Sequence, residues 1–517
     1  MAISSNGGAN AAHVNMMTDT IIGNLPADGL RVVVRSLLAS HPEITTTFEH
    51  ETRKYLGQSI AKSSKANLGT FDIDRLKHTQ QIVRCMLGSG VPFESLPLLS
   101  KVVIRGAELT LDSRQNDKGE LEVFLASLDG DLVQAMTAVK KRLFVEVGAR
   151  ELSTEEQVLV RHLLESLTHC QDILQNTDIA FPYGRGLITT SSILGVLPPA
   201  LPASRHSSLN GKPPPRQAKE TFQLGERQLP RIFSGLWQMS SPAWGAAPMS
   251  KIVDQFSTHV QSGFTAFDMA DHYGDAEVIY GRFRNLYPYK DAMFTATKYC
   301  VFHPMTVTRE AVQANVGERC QRLQQDVIDL LQFHWQFWDN EQYLTALRYL
   351  SEDQRVSKIG LCNFDTEHLE QVLDGGVKIH TNQVQCGGFI ADKWLNKPEP
   401  DVYDSMITPS QRKYHGMICS WGGWDLFQEL LAVLGTIATK HGVNISNVAT
   451  RWVLDFPYVG AVIIGARLGM SEHTSDNSAT FGWSLDQDDK SALETVLSRS
   501  NRAEMFQTMG DCGREYR

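Results

Sequence analysis

The sequence predicts an α/β fold, a (β/α)8 barrel of the TIM type, preceded by an all-α domain. Short apolar runs alternate with helical segments over roughly 240 residues of the C-terminal part, which is the pattern of parallel βαβ units. No G-x-G-x-x-G follows the first run, which disfavours an open dinucleotide-binding sheet. The N-terminal part shows only the period of amphipathic helices.

Composition and charge narrow the class of protein. The chain has 517 residues, more than one average domain needs, and 42% of them are hydrophobic, which suffices for two folded cores. The formal net charge of -9 gives no basic excess, so no nucleic acid and no membrane is expected as a partner. A small-molecule ligand is expected instead.

The cysteines and the N-terminus indicate a cytoplasmic protein. The eight cysteines are spread over the whole length without a CxxC pair, so reduced thiols are expected and no metal site is predicted. The first residues lack the basic start and the apolar core of a signal peptide. No stretch reaches the roughly 18 apolar residues that a membrane span requires.

The N-terminal part is predicted to contain a disordered tail, residues 1–23, and a helical domain of unknown function, residues 24–180. One helix stops at His41-Pro42, and its apolar face is formed by Leu30, Val33, Val34, Leu37 and Leu38. Another begins at Ser153 with Glu156 as a capping box, and its apolar face is formed by Val160, Leu163, Leu164 and Leu167. These faces are expected to pack against one another. The domain is a candidate for binding a protein partner.

A linker and a barrel are predicted next. Residues 181–221 are rich in Pro, Ser and Gly without an apolar period, which indicates a linker. The barrel is predicted over residues 222–517. Its strand candidates are IFSGLW, TAFDMA, AMFTATK, IDLLQFH, KIGLCNF, HTNQVQ and AVIIGA, and its helical segments include SKIVDQFSTHVQ, REAVQANVGERCQRL and EQYLTALRYLSE.

Polar residues stand at the ends of these runs, where barrel enzymes carry their active residues. They are Asp268, Lys298, His334, Asn363 and Gln383, together with Tyr273 in the loop after the second run. A tyrosine, with a reference pKa near 10, can protonate a carbonyl oxygen if a cation such as Lys298 eases proton release. Asp268 can supply the counter-charge, and His334 can hold the substrate oxygen. Taken singly, each residue fits a loop cap, a surface charge or a packing position equally well.

Four of these residues resemble a known catalytic set. Asp268, Tyr273, Lys298 and His334, in FDMADHYG, FTATK and LLQFHW, are similar in order and spacing to the catalytic tetrad of the aldo-keto reductases. The resemblance covers about residues 222–501 and none of the N-terminal part. It implies an NADP-dependent oxidoreductase that reduces an aldehyde or ketone to an alcohol. It also implies Tyr273 as the proton donor, Lys298 and Asp268 as its tuning pair, and His334 as the group that orients the carbonyl.

The same resemblance implies residues that bind the cofactor, NADP. Asn363 and Gln383 are similar to the pair that binds the nicotinamide carboxamide, although both also fit residues that close backbone hydrogen bonds at strand ends. The segment VIIGARLGMSEHTSDN resembles the loop around the adenosine side, with Gly465 at its start, Arg467 for the 2′-phosphate and Asn477 for the adenine. Arg467 favours NADP because a guanidinium binds phosphate by a forked, charge-assisted contact, unless it is an ordinary surface cation.

The sequence departs from the family pattern at two places. Cys362 stands where a serine usually lies beside Asn363, and a thiol is the weaker hydrogen-bond donor, so looser nicotinamide binding is expected. After HTNQVQ, Gln385 runs directly into CGGFIADKWLNKPEP, which resembles the segment after strand seven. One βα unit of about 30 residues is therefore expected to be lacking near strand seven.

Three explanations fit this gap. The segment MICSW could form a substitute strand, although the helical period of the following WDLFQELLAVLGTIATKH argues against it. The barrel could be open, with unpaired strand edges and a damaged nicotinamide site. The sequence could also come from a gene prediction that lost a coding piece between Gln385 and Cys386.

Two functions follow from these observations. The first is NADPH-dependent reduction of a small carbonyl substrate, or the reverse alcohol oxidation, by Tyr273 and His334. The alternative is a catalytically impaired module with an incomplete barrel that senses a nucleotide or binds a protein. Trp237, Trp244 and Trp335 suit the wall of an apolar substrate pocket as well as ordinary packing.

Overall fold

The computed structural model describes most of the chain. The described residues are 25–63, 73–111, 118–145, 148–175, 177, 179–196, 213–215, 220–240, 247–384, 389–404, 407 and 409–509. The predicted tail, residues 1–23, lies outside the described residues, as do Trp244 and the junction of Gln385 with Cys386. Among the described helices, none is both long and apolar enough to cross a membrane.

The described N-terminal residues are mostly helical. Their helices are α1 Ala27–Ser40, α2 Thr45–Ser63, α3 Ile73–Gly88, α4 Pro92–Leu111, α5 Lys118–Leu143, α6 Thr154–Leu174 and α7 Gly184–Ile193. Two short antiparallel strands, β1 Phe144–Val145 and β2 Gly148–Ala149, lie between α5 and α6. The helices α3 to α7 share one apolar core, to which they contribute Leu76, Leu99, Leu128, Leu163 and Leu187. This core is separate from the apolar clusters of the C-terminal part.

The capping box predicted for α6 is confirmed. The Ser153 hydroxyl accepts a hydrogen bond from the Glu156 N–H at 3.2 Å, and the Glu156 carboxylate accepts one from the Ser153 N–H at 2.9 Å. This reciprocal pair satisfies two N–H groups that a helix start otherwise leaves without partners. The apolar face behind it is buried at Val160, Leu163 and Leu167, as its spacing predicts.

Helix α1 forms where the sequence predicts it, but its apolar face does not pack as expected. Val33 and Leu37 are exposed, and no residue of α1 is buried. The prediction that this face packs against the other helices is therefore wrong for the described residues. The physical reason is that α3 to α7 already fill one another's apolar sides. Helix α1 instead contacts the C-terminal part, where the Arg35 guanidinium donates to the Tyr403 carbonyl at 2.6 Å.

The predicted linker, residues 181–221, differs from the structure at α7. This helix is buried over most of its length although its sequence, GRGLITTSSI, is rich in small polar residues. The hydroxyls of Thr189, Thr190 and Ser191 donate to carbonyls one turn earlier at 2.7 to 2.8 Å, which lets them lie in an apolar core. Gly186 fits there because an added Cβ would lie 2.6 Å from Leu132. A prediction from composition alone therefore assigns such a helix to a linker.

The C-terminal part is built on a parallel sheet. Its strands are β3 Thr221–Leu224, β4 Arg227–Pro230, β5 Ile232–Gly235, β6 Ala266–Asp268, β7 Phe294–Val301, β8 Leu330–Trp335, β9 Ile359–Cys362, β10 Thr381–Gln383 and β11 Val462–Gly465. Strands β3 and β4 form an antiparallel hairpin, and the other seven are parallel in the order β10-β9-β8-β7-β6-β5-β11. Each of the seven apolar runs of the sequence forms one of these parallel strands.

Helices alternate with the strands, as βαβ units require. They are α8 Met249–Gln261, α9 Ala276–Leu286, α10 Arg309–Leu323, α11 Gln342–Ser351, α12 Thr366–Asp374, α13 Pro409–Trp421, α14 Gly423–His441, α15 Ile445–Leu454, α16 Thr474–Ser478, α17 Gln487–Leu497 and α18 Arg502–Met509. The largest apolar cluster lies between the sheet and α8 to α12. The hairpin places Leu224 and Leu229 against residues at the amino ends of β5 to β8, which leaves their carboxyl ends for a site.

The sheet has seven parallel strands within the described residues, and β10 and β11 are its edges. Strands β5 to β9 are almost completely buried, whereas β10 and β11 are only partly buried. The segment MICSW lies at the end of helix α13, so the structure does not support a substitute strand there. A closed eight-stranded barrel is therefore not formed by the described residues, in agreement with the expected lack of one βα unit.

A glycine fixes how closely α9 and α10 approach. A Cβ added to Gly281 would lie 2.4 Å from the Leu323 carbonyl oxygen, which is backbone and cannot turn away. We expect Gly281→Ala to destabilise the protein by about 1–3 kcal/mol, as overpacking of a core does. Thermal unfolding measures this change. The control is Gly416→Ala, where nothing lies within 4 Å, and an equal loss of stability in both variants would contradict the steric explanation.

Candidate active site

The register of β7 and β8 brings four polar side chains to one side of the sheet. Lys298 pairs with Gln332, and Cys300 pairs with His334. Because side chains of a strand alternate between its two faces, residues two apart point the same way. The four side chains of these residues therefore share one face, and all except Cys300 are almost completely buried.

A buried ion pair stands at the centre of this face. The Lys298 Nζ donates to Asp268 Oδ2 at 2.6 Å and to the Met269 carbonyl at 2.9 Å, and the Gln332 amide donates to Asp268 Oδ1 at 2.9 Å. Both charged side chains are 3% exposed. Burial has the largest single effect and lowers the pKa of Lys298, but the charge and hydrogen bond of Asp268, together with Tyr273 and Cys362, outweigh it and raise the pKa above the usual range. The lysine therefore stays an ammonium.

Tyr273 joins this pair from the loop between β6 and α9. Its hydroxyl lies 3.4 Å from Lys298 Nζ, and the ammonium lies 5.0 Å from the centre of its ring. Burial raises the pKa of Tyr273 above its usual value, and Lys298 offsets only part of this rise. Burial thus has a larger effect on the pKa of Tyr273 than the Lys298 ammonium, which acts in the direction that eases proton release.

His334 is buried on the same face. Its ring stands edge-on to Phe302 with 5.6 Å between ring centres. Burial lowers the pKa of His334 to about 4, and the positive charges of His272 and Lys298 act in the same direction. The imidazole is therefore neutral near pH 7, a state in which it can donate one hydrogen bond and accept another.

Sequence reasoning missed three neighbours of these residues. The His272 ring packs edge-on against the Tyr273 ring and against the Phe302 ring, with 4.7 and 4.9 Å between ring centres. His272 and Phe302 therefore both border the site. Gln332 orients Asp268. A signal for Gln332 was present, since it lies two residues before His334 in a predicted strand. No local sequence pattern predicts that the Phe302 ring contacts His272 and His334.

The structure brings Asn363 and Gln383 together at the ends of β9 and β10. The Asn363 N–H donates to the Gln383 carbonyl at 2.9 Å. Within the part of the chain that the structure describes, the buried oxygens Asn363 Oδ1 and Gln383 Oε1 have no hydrogen-bond partner. Buried polar atoms without partners are rare, so these two indicate a ligand with N–H donors. The neighbouring Cys362 is buried, which raises the pKa of its thiol to about 12.

The residues expected on the adenosine side lie at the end of β11 and after it. Gly465 ends this strand beside Gly235, and a Cβ added there would lie 3.4 Å from the Gln238 side chain. Arg467 follows with an exposed side chain, and Asn477 lies partly buried in α16. The structure thus places Gly465 at the end of the edge strand β11, and Arg467 and Asn477 after it in the chain.

The tryptophans proposed for a pocket wall differ in their surroundings. Trp335 is 1% exposed and packs against Phe333 and Tyr343, which fits the packing interpretation. Trp237 is partly buried in a short 3-10 turn that directly follows β5.

A parallel sheet that carries an aspartate, a lysine and a histidine near its strand ends, with a tyrosine in an adjoining loop, defines an α/β protein with a polar site. The profile described as "Aldo/keto reductase family" matches residues 231–399 and 387–498. The chain belongs to the aldo/keto reductase family. The two matched ranges overlap at residues 387–399, directly after the place where one βα unit is expected to be lacking.

Known relatives match the same half of the chain. "Aldo-keto reductase YhdN" of Bacillus subtilis is 25% identical over 307 residues, which cover 52% of this chain and 90% of the relative. "Methylglyoxal reductase DkgA" of Escherichia coli is 23% identical over 265 residues, which cover 50% and 87%. The glycerol dehydrogenase AKR11B4 from Gluconobacter oxydans is 21% identical in the structural alignment, with a TM-score of 0.45, covering 55% of this chain and 97% of that one.

Proposed function

We propose that this protein is an NADPH-dependent reductase of a small aldehyde or ketone in the cytoplasm, with Tyr273 as the proton donor. The observation that carries the proposal is the chain of contacts from Tyr273 through Lys298 to Asp268, with Oη–Nζ and Nζ–Oδ2 distances of 3.4 and 2.6 Å. Membership of the aldo/keto reductase family supports an oxidoreductase that acts on a carbonyl compound.

The proposed proton transfer follows from the charges of the site. The pKa of Tyr273 is raised, so the phenol stays protonated until the carbonyl oxygen gains negative charge. The Lys298 ammonium then stabilises the phenolate that remains, and Asp268 keeps the ammonium in place. His334, neutral near pH 7, would donate a hydrogen bond to the same substrate oxygen.

The described residues fit the proposed cofactor. NADPH, when bound, would supply the hydride. Asn363 Oδ1 and Gln383 Oε1 would accept hydrogen bonds from the nicotinamide carboxamide, which would satisfy two buried oxygens. Gly465 would allow the backbone to approach the nucleotide, Arg467 would bind the 2′-phosphate, and Asn477 would bind the adenine.

The choice between NADPH and NADH is expected to depend on Arg467. A hydrogen bond to a charged group is worth about 1.5–3 kcal/mol, so Arg467→Met should weaken NADPH binding by roughly 10- to 100-fold. NADH affinity should stay within about twofold because NADH lacks the phosphate. Nucleotide fluorescence titration measures both. The control is Arg502→Met, an exposed arginine paired with Glu494; an equal loss of NADPH and NADH binding in Arg467→Met would contradict the assignment.

Turnover tests the proposed function. The full-length protein is mixed with NADPH and methylglyoxal, a substrate for which a relative is named, and with a panel of other aldehydes and ketones. Loss of NADPH absorbance with formation of the alcohol is the expected result. Tight NADPH binding without turnover on any member of the panel would favour the second candidate.

The second candidate is a catalytically impaired module that senses the nucleotide or binds a protein. One observation favours it: the edges β10 and β11 of the sheet are only partly buried within the described residues. Gln383 lies on one of these edges, so the wall beside the nicotinamide would be incomplete. This candidate predicts that NADPH raises the unfolding temperature in proportion to its binding, without product formation.

A further inference from the structure

We infer that Arg185 of α7 is a positioning residue for the loop that carries Tyr273, so that the N-terminal helical part sets the geometry of the active site. This inference rests on the proposed function. Arg185 lies outside the family match, which begins at residue 231. The inference therefore gives a role to a part of the chain that the family does not include.

The contact is a two-bond ion pair with almost no exposure to solvent. The Arg185 Nε donates to Asp275 Oδ2 at 2.8 Å, and Nη2 donates to Oδ1 at 2.7 Å. The exposed fractions of the two side chains are 6% and 2%. Such a forked pair fixes orientation as well as distance. It is also a pair whose loss leaves the other charge buried without compensation.

Asp275 lies two residues after Tyr273, at the point where the loop becomes α9. It occupies the N-cap position of α9 without capping the helix, because its carboxylate is bound to Arg185 instead. Gly274, between the two, has φ of +58°, a conformation that glycine adopts at little cost. The Tyr273 carbonyl accepts from the Ala276 N–H at 3.1 Å. Movement of Asp275 would therefore move Tyr273.

Arg185 is itself held by the helical part. The N–H groups of Arg185 and Gly186 donate to the two carboxylate oxygens of Asp129 on α5 at 3.3 and 2.7 Å. Asp129 is 2% exposed. It thus provides the cap at the start of α7 that the preceding residue, Tyr183, does not provide. The helix that presents Arg185 is fixed at the end from which the arginine projects.

A second connection reaches the other side of the same loop. Lys140 on α5 forms an ion pair with Glu318 on α10. Glu318 pairs with Arg319 at 2.9 Å, and Arg319 lies 3.1 Å from Glu277 and 3.6 Å from Asp271. Asp271 and Glu277 stand on either side of Tyr273 in the sequence. The helical part therefore contacts the catalytic loop directly through Arg185 and through a chain of charges that starts at Lys140.

The first test separates positioning from binding. Arg185→Met is expected to lower kcat by roughly 10- to 100-fold, since a displacement of about 1 Å at the reacting groups can have such an effect. The Kd for NADPH is expected to change by less than about twofold, because no nucleotide contact is removed. Arg185→Lys, which can keep one of the two hydrogen bonds, should restore part of kcat. Asp275→Asn should lower kcat to a similar extent, and the double variant Arg185→Met/Asp275→Asn should lower it little further.

The matched control is Arg84→Met. Arg84, whose side chain is partly exposed, forms an ion pair with the buried Asp131 inside the helical part, at 2.9 Å, away from the loop. It should lose stability without a selective loss of kcat. A wild-type kcat in Arg185→Met, or an equal loss of kcat in Arg84→Met, would overturn the inference.

Amide hydrogen exchange tests the inference even if the protein reduces no substrate. In Arg185→Met the segment 270–277 is expected to exchange at least about tenfold faster than in the wild type, whereas the strands β7 and β8 exchange at the wild-type rate. Unchanged exchange of this segment, or faster exchange of the whole sheet, would refute a positioning role. Absence of turnover in the wild type with a local exchange change in Arg185→Met would refute only the proposed function.

Discussion

Replacing Tyr273 with phenylalanine is expected to remove carbonyl reduction while nucleotide binding is retained. The substitution takes away one hydroxyl, which lies 3.4 Å from the Lys298 ammonium, and leaves the ring in its packing. A positioned general acid contributes about 10²- to 10⁴-fold to a rate, so kcat should fall by at least that lower factor. The Kd for NADPH should stay within about twofold of the wild-type value. Steady-state kinetics and fluorescence titration measure the two quantities.

Tyr299→Phe is the matched control for this variant. Tyr299 is 5% exposed and lies on the same strand as Lys298, and its hydroxyl donates to the Met305 sulfur at 3.6 Å. Its neighbour in sequence, Lys298, points to the opposite face of the sheet. Removal of this hydroxyl should leave kcat unchanged. If Tyr273→Phe turned over substrate as fast as Tyr299→Phe, Tyr273 would not be the proton donor.

Much of the C-terminal fold could be predicted from local pattern alone. The strands alternate with helices at a spacing that only parallel βαβ units produce, and each run that the sequence marks is a strand in the structure. That the candidate side chains lie close together was predictable for the same reason. Asp268 and His334 stand at strand ends, and the carboxyl ends of parallel strands meet at one edge of a sheet.

What could not be predicted depends on contacts between distant parts of the chain. Arg185 and Asp275 are 90 positions apart, and nothing near either residue indicates the other. Helix α7 was missed because its buried hydroxyls bond to its own backbone, which composition does not reveal. The raised pKa of Tyr273 depends on how deeply the fold buries it, and a sequence does not give burial.

The sequence pattern and the structure agree that the sheet is irregular near the expected strand seven. Compared with the family pattern, the sequence around Gln385 lacks the residues of one βα unit. The described sheet has seven strands, one fewer than a closed eight-stranded barrel. The helical period after MICSW argued against a substitute strand, and MICSW lies in helix α13. Among the described strands, an edge of the sheet therefore lies at Gln383, so the proposed binding of the nicotinamide end is the property that this gap should affect most.

Replacing Lys298 with methionine is expected to have the largest effect on stability. Asp268 is 2% exposed, and without the ammonium it keeps the hydrogen bond from Gln332 but no counter-charge. Breaking one partner of a buried pair costs about 3–5 kcal/mol because the remaining charge cannot be solvated. The unfolding free energy from denaturant titration should fall by that amount, and kcat should be lost because no cation remains beside Tyr273. Lys54→Met, which removes an exposed lysine paired with the exposed Glu51, should shift the unfolding midpoint only slightly.

The double variant Lys298→Met/Asp268→Asn distinguishes a buried charge from a merely disturbed core. Asparagine keeps the size of Asp268 and can still accept from Gln332, whose amide lies 2.9 Å from the Asp268 Oδ1 atom. Without a charge to bury, at least about half of the lost stability should return, although activity should not. Equal instability of the single and double variants would mean that Lys298 acts by packing, and its role as the ammonium that serves Tyr273 would lose its physical basis. Recovery of stability without activity would instead show that the wild-type protein loses stability by burying the two charges. It would also show that activity requires the Lys298 charge, as proton transfer from Tyr273 does.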